Sequence, residues 1–199
     1  MAHIDYYFTP LSPFTYLAGS RLEDMAAAHG ATITYKPIDI MALFAATGGT
    51  PPKDRHPNRQ VYRMQELERR GKLSGLPITL KPAHWPTNAA PACYAIIAAQ
   101  NAGTGDVGKL AHSLMAACWA QEKDIADEKV IKECLTAAGF SDDLTSTGLL
   151  VGAEVFAKNL EDAVAAGAFG APFYITDSDQ RFWGHDRLDD LQAHLEGRI

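Results

Sequence analysis

In the run TPLSPFTYL a serine, Ser12, stands directly before Pro13, between a strand-like stretch and a helix-like one. Serine ahead of a helix-initiating proline is ordinary N-cap chemistry, with the hydroxyl accepting from a backbone N–H one turn in. The same hydroxyl can instead donate to something beyond the helix end. A helix N-terminus carries roughly half a positive charge and several unpaired N–H groups, so it draws anions. A thiol with a reference pKa of about 8.5 is only roughly 3% ionised at neutral pH. Lowering that pKa by about two units takes ~2.7 kcal/mol, within reach of one charge-assisted hydrogen bond plus a helix end. A serine-hydrolase reading fares worse, because no GxSxG surrounds Ser12 and the scattered histidines set no triad order. Ser12 is therefore either a plain cap or a holder of a thiolate that arrives with a ligand.

The surrounding pattern says what must position it. HIDYYF alternates as a strand, and PFTYLAGSRLEDMAAAHG has near-helical spacing and stops at Gly30. ATITYKPID reads as a second strand, so residues 4–38 form a strand–helix–strand unit that favours parallel pairing. A turn-rich loop, TGGTPPKDRHP, follows. Helical patterning then runs to about residue 166, in segments 58–71, 87–101, 106–122, 127–138 and 145–166. APFYITD and RFWG return to strand character, and HDRLDDLQAHLEG closes the chain as a helix. The order predicts an α/β fold in which the two ends share one sheet. Residues 1–40 and 167–199 form a discontinuous domain, and 41–166 a mainly helical insertion.

Composition narrows the function classes. The 199 residues are 47% hydrophobic and 21% charged, with net charge −6 and no basic run, which argues against nucleic acid or an anionic membrane as partner. Neither a signal peptide nor a stretch of 18 apolar residues is evident. Cys93, Cys118 and Cys134 are odd in number and lack a CxxC, which fits reduced thiols in a cytoplasm. All three fall in predicted helices of the insertion, so a thiol–disulfide oxidoreductase is not expected. No metal spacing appears, and no metal is expected. Trp119 and Trp183 read as packing residues, and Tyr62 as core.

Three stretches in this order, SPFTY at 12–16, GAFGAPFYI at 167–175 and GHDRLDDL at 184–191, together with P-x-R-x-x-Y at 57–62, carry a family resemblance. The βαβ plus ββα order is that of thioredoxin-like proteins, and the helical insertion that of their DsbA-like branch. The chain resembles the kappa-class glutathione transferase group within it, most closely the 2-hydroxychromene-2-carboxylate isomerases. A serine stands where the redox relatives place their first cysteine. Relatives commonly carry an asparagine in the loop where this chain has Gly48-Gly49-Thr50, a lysine at Arg59 and a serine at His185.

The resemblance implies glutathione as cofactor, with Ser12 holding its sulfur. It implies a cis Ala171–Pro172 bond that turns the Ala171 backbone toward the ligand; the plain alternative is an edge-strand proline. His185 and Asp186 would hold the γ-glutamyl end, although Asp186 could simply cap the last helix. Arg59 could anchor the glycine carboxylate or be solvated, and Phe14 would face an aromatic substrate. The implied reaction is glutathione-dependent isomerisation of 2-hydroxychromene-2-carboxylate by a homodimer, in aromatic-compound catabolism. Two alternatives stay open: a kappa-like transferase or peroxidase acting on other electrophiles, and a non-catalytic DsbA-like binding module.

Overall fold

Ile4, Tyr6 and Phe8 alternate along β1 (His3–Phe8), and all three are buried. Tyr7 between them is buried too, because both faces of the strand are covered. The computed structural model describes residues 2–199. Its four-stranded sheet runs β2 (Thr32–Pro37), β1, β3 (Phe173–Thr176), β4 (Arg181–Trp183). β1 pairs parallel with β2 and antiparallel with β3, and β3 pairs antiparallel with β4. The two ends of the chain thus build one sheet, as their patterning predicts. On one face Tyr6 stacks on Phe8 at 4.6 Å and on Tyr174 at 5.2 Å between ring centroids. On the other face Tyr7 packs with Ile38, Leu43, Ala163, Phe173 and Ile175.

Helices supply both covers. α2 (Arg21–His29) and α10 (Leu188–Leu195) lie on the Tyr6 side with α5 (Ala90–Ala102), α6 (Val107–Trp119) and α7 (Glu128–Ala137). α3 (Ile40–Thr47) and α9 (Leu149–Ala165) lie on the Tyr7 side. α4 (Pro57–Ser74) joins the larger core through Leu67.

Three local readings need correction. The stretch 13–30 is not one helix: α1 spans only Pro13–Tyr16, and a turn ending in left-handed Gly19 (φ 64°) separates it from α2. α3 was not foreseen, although Asp39 caps it through the N–H groups of Met41 and Ala42 and Gly48 stops it. The segment 145–166 divides at Gly148 into α8 (Leu144–Thr147) and α9. A Cβ there would lie 2.2 Å from that of Ala98, so only glycine lets the chain cross α5 this closely.

Residues lying between β2 and β3 in the chain grip the loop between β1 and α1 through hydrogen bonds. The Trp119 Nε1–H donates to the Pro10 carbonyl at 3.0 Å, and the Trp85 Nε1–H to the Leu11 carbonyl at 3.1 Å. The Tyr16 hydroxyl returns the link, donating to the Pro77 carbonyl at 2.7 Å. Trp119 is 1% exposed, so its loss strands a buried carbonyl. Trp119→Phe is expected to lower unfolding free energy by about 1–3 kcal/mol, read from urea midpoints. An unchanged midpoint would show that water replaces the indole.

Candidate functional site

Ser12 sits at the N-cap of α1 with an extended backbone (φ −90°, ψ 115°), which aims its side chain back over the first turn. Its Oγ accepts from the Thr15 N–H at 3.2 Å, so the capping role is real. Its own proton has a poorer outlet, a 3.4 Å contact to the Ala171 carbonyl from the far end of the chain. That distance is at the weak limit for a hydroxyl donor. Ala171 precedes Pro172 through a cis bond, and its N–H has no hydrogen-bond partner among the described residues. Because α1 is a four-residue turn, the expected macrodipole of a long helix is absent here. Polarity at this end comes from the hydroxyl and from nearby side chains.

Phe14, two residues on, is half-buried and stacks on His185 with centroids 5.2 Å apart and ring planes 21° from parallel. His185 is 8% exposed, and its Nε2 is buried without a hydrogen-bond partner. Burial pushes the imidazole pKa down, as do the cations of Arg70 and Arg21, while the carboxylates of Asp186 and Glu66 oppose the shift. The ring is held neutral. Asp186 does not cap α10; it lies in a 3-10 turn (His185–Arg187), exposed, 4.0 Å from His185 Nδ1 and 3.2 Å from the Arg187 guanidinium. Gly184 makes that turn possible. At φ 110° it is in the region that favours glycine, and a Cβ would lie 2.5 Å from Asp186 Oδ1.

The sequence-predicted residues therefore gather in two linked pairs, Ser12 with Ala171 and Phe14 with His185, with Asp186 beside the second. Arg59 is not among them: it is exposed near the start of α4 and bonds no side chain. The residue that does arrive is Arg63, one turn further along α4. Its guanidinium carbon lies 6.0 Å from the Phe14 ring centroid and 5.9 Å from that of Trp85. Its four-residue spacing from Arg59 puts both on one side of α4, but nothing in that spacing marks it as the one beside Phe14. Tyr62, expected in the core, is 60% exposed with Arg69 over its ring. Trp119 is buried as expected, whereas Trp183 is half-exposed against Phe169.

The cysteines lie far from this chemistry in character as well as sequence. All three fall in helices, α5, α6 and α7, as the sequence predicts, and all three are buried. Burial raises each thiol pKa, to about 12 for Cys118 and about 11 for Cys134. No helix is long and apolar enough to cross a membrane, and no cluster of metal-ligating side chains occurs among the described residues.

Comparison with known proteins gives the family. Residues 3–196 match the DSBA-like thioredoxin domain family. A 2-hydroxychromene-2-carboxylate isomerase of Sphingobium xenophagum is 32% identical over 96% of this chain and 97% of its own length. The chain belongs to this family. Glutathione S-transferase kappa 1 of Caenorhabditis elegans is 24% identical over 94% of this chain and 88% of its own. A solved structure of 2-hydroxychromene-2-carboxylate isomerase superimposes with a TM-score of 0.81 at 25% identity, covering 98% of this chain and 95% of that one. The family contains isomerases and a kappa-class transferase, and the DsbA-like thioredoxin fold expected from the strand order is the fold observed.

Two outcomes follow from this site. Ellman's reagent is expected to find no reactive thiol in the native protein and all three after denaturation; a reactive native thiol would contradict the burial of the cysteines. For His185 the folded pKa lies below the unfolded value of about 6.5. Its contribution to stability is thus complete above that range and is lost as pH falls through it, when the unfolded chain takes up a proton that the folded chain refuses. Urea midpoints of the wild type should fall more steeply from pH about 7.5 to about 5 than those of His185→Asn. Parallel profiles would mean that the ring titrates in the fold as it does in the unfolded chain.

Proposed function

We propose that this chain is a glutathione-dependent isomerase of 2-hydroxychromene-2-carboxylate or a close aromatic analogue, with Ser12 as its catalytic residue. The observation that carries the reading is the Ser12 hydroxyl: Thr15 fixes its lone pair, while its proton is spent on a 3.4 Å contact. Such a donor can turn to a thiolate with little loss, and a charge-assisted bond is the stronger partner. The name of the 32% identical relative supports the substrate, and that of the kappa-class relative supports glutathione. When bound, glutathione would supply a thiolate that adds reversibly to the conjugated double bond, leaving it free to rotate before the thiol departs.

The chain's own residues fit such a ligand. The Ala171 N–H and carbonyl are a donor and acceptor with almost no internal commitments, suited to an extended peptide as an added strand would be. Pro172 fixes the backbone that presents them. His185 offers a buried, unpartnered ring nitrogen and Asp186 a carboxylate, a pair suited to the γ-glutamyl end. Arg59 is free to meet the glycine carboxylate, and Phe14 offers an aromatic face to the substrate. A homodimer working in the cytoplasm on aromatic breakdown products completes the proposal. Conjugation of other electrophiles is the second reading, favoured by the similarity to the kappa-class transferase.

The test follows the absorbance of 2-hydroxychromene-2-carboxylate with the purified protein, with and without glutathione. Conversion to trans-o-hydroxybenzylidenepyruvate only when glutathione is present supports the isomerase. Glutathione binding without conversion, but with conjugation of an electrophile panel, favours the second reading. Ser12→Ala is expected to cut kcat by roughly 10²-fold or more, with a stability loss of about 1 kcal/mol from the missing cap. A near-normal rate would remove Ser12 from the mechanism.

A further inference from the structure

The chain has nine arginines, and six of them form an ion pair with a carboxylate. The other three are Arg55, Arg59 and Arg63, neighbours in sequence and in space, with no carboxylate partner among the described residues. Burial lowers the pKa of Arg55 and Arg63, and repulsion adds to it, from Arg59 on Arg55 and from Arg55 on Arg63. In a protein of net charge −6, counter-charges were available. They are placed elsewhere. On α4 itself Glu66 is engaged by Arg69 and Arg70, and Glu68 by Lys72, all in the second half of the helix. The first turn holds no acid, so Arg59 and Arg63 stand unpaired in the half of α4 where the macrodipole favours negative charge. Like charges four residues apart on a helix are destabilising as well.

The cluster has a defined location. The Arg63 guanidinium lies beside the rings of Phe14 and Trp85, at 6.0 and 5.9 Å. Phe14 is two residues from Ser12, and Trp85 is bonded to the carbonyl of Leu11, the residue before Ser12. Arg55 is tied down through its Nε–H to the Thr50 carbonyl at 2.8 Å and lies over Phe44, leaving its terminal nitrogens free. A half-buried guanidinium fork beside aromatic rings is matched to a planar carboxylate on an aryl group.

We propose that Arg63, backed by Arg55, is the carboxylate receptor of the Ser12 site and selects anionic aromatic reactants over neutral ones. Its placement rests on the reading of Ser12 given above. The same chemistry is offered by an aromatic acid and by the glycine carboxylate of glutathione, and the experiment separates them.

Calorimetric titrations would compare trans-cinnamate with neutral cinnamamide, and glutathione with its glycine ethyl ester, in the wild type, Arg63→Gln and Arg181→Gln. Arg181 is an exposed, paired arginine elsewhere. The wild type and Arg181→Gln should prefer the carboxylate of one pair by roughly tenfold or more, and Arg63→Gln should lose that preference. Loss in the cinnamate pair bears out selection of the aromatic acid; loss confined to the glutathione pair gives the receptor to the tripeptide and overturns that selection. Retention of both preferences in Arg63→Gln overturns the proposal. Arg63→Lys, which keeps the charge without the fork, should retain part of the preference and serves if the glutamine variant does not fold. Binding is read without turnover. A chain that holds cinnamate through Arg63 yet fails to isomerise would therefore overturn the isomerase reading and leave this one standing.

Discussion

Two indole N–H groups, those of Trp85 and Trp119, hold the carbonyls of Pro10 and Leu11, and the rest of the site depends on that grip. The loop between β1 and α1 has only a four-residue turn of helix beyond it, too short to fix its own geometry. Its carbonyls are satisfied by the insertion rather than by its own strand or helix. Unbonded buried carbonyls cost about 1–3 kcal/mol each, so the helical block cannot draw back without exposing that debt. The block and the sheet are therefore mechanically one body at Ser12, with the Tyr16 bond to Pro77 as a third tie.

The electrostatics divide along the same line. Several of the surface ion pairs join residues three or four apart on one helix, as those of Glu66 and Glu68 do. Such exposed pairs contribute little to stability, but they leave no net field. Around the Ser12 loop the pattern reverses. A buried imidazole with an unpartnered nitrogen, a hydroxyl with a weakly used proton and the unpaired guanidinium of Arg63 lie beside it. Left-over hydrogen-bonding capacity of this kind is costly in a fold.

Much of this was legible in the sequence, for identifiable reasons. The strands were readable because Ile4, Tyr6 and Phe8 alternate and because Pro172 and Gly184 punctuate the end of the chain. Ser12 was readable as a cap because the Ser-Pro pair is a local signal. The break at Leu17–Ser20 was not, because Leu22 and Met25 keep helical spacing across it and the turn depends on backbone bonds to Thr15 and Tyr16. Arg63 was missed because its importance lies in what surrounds it. Neither the lack of a carboxylate nor the nearness of Phe14 and Trp85 is written in a spacing. Gly148 was passed over for the same reason, since its need arises from Ala98 fifty residues earlier in the chain.

Ser12 and Ala171 are 159 residues apart, and the central strand β1 awaits its second neighbour, β3, over a similar span. During synthesis both β1 and its neighbour β2 are made early, while the other edge of β1 has no partner until residues 173–176 are made. At about 5–20 residues per second that interval is on the order of ten seconds or more. An open, apolar strand edge is a template for wrong partners. The nascent chain thus keeps an apolar strand edge open across that interval, and the contact between Ser12 and Ala171 cannot form before it closes.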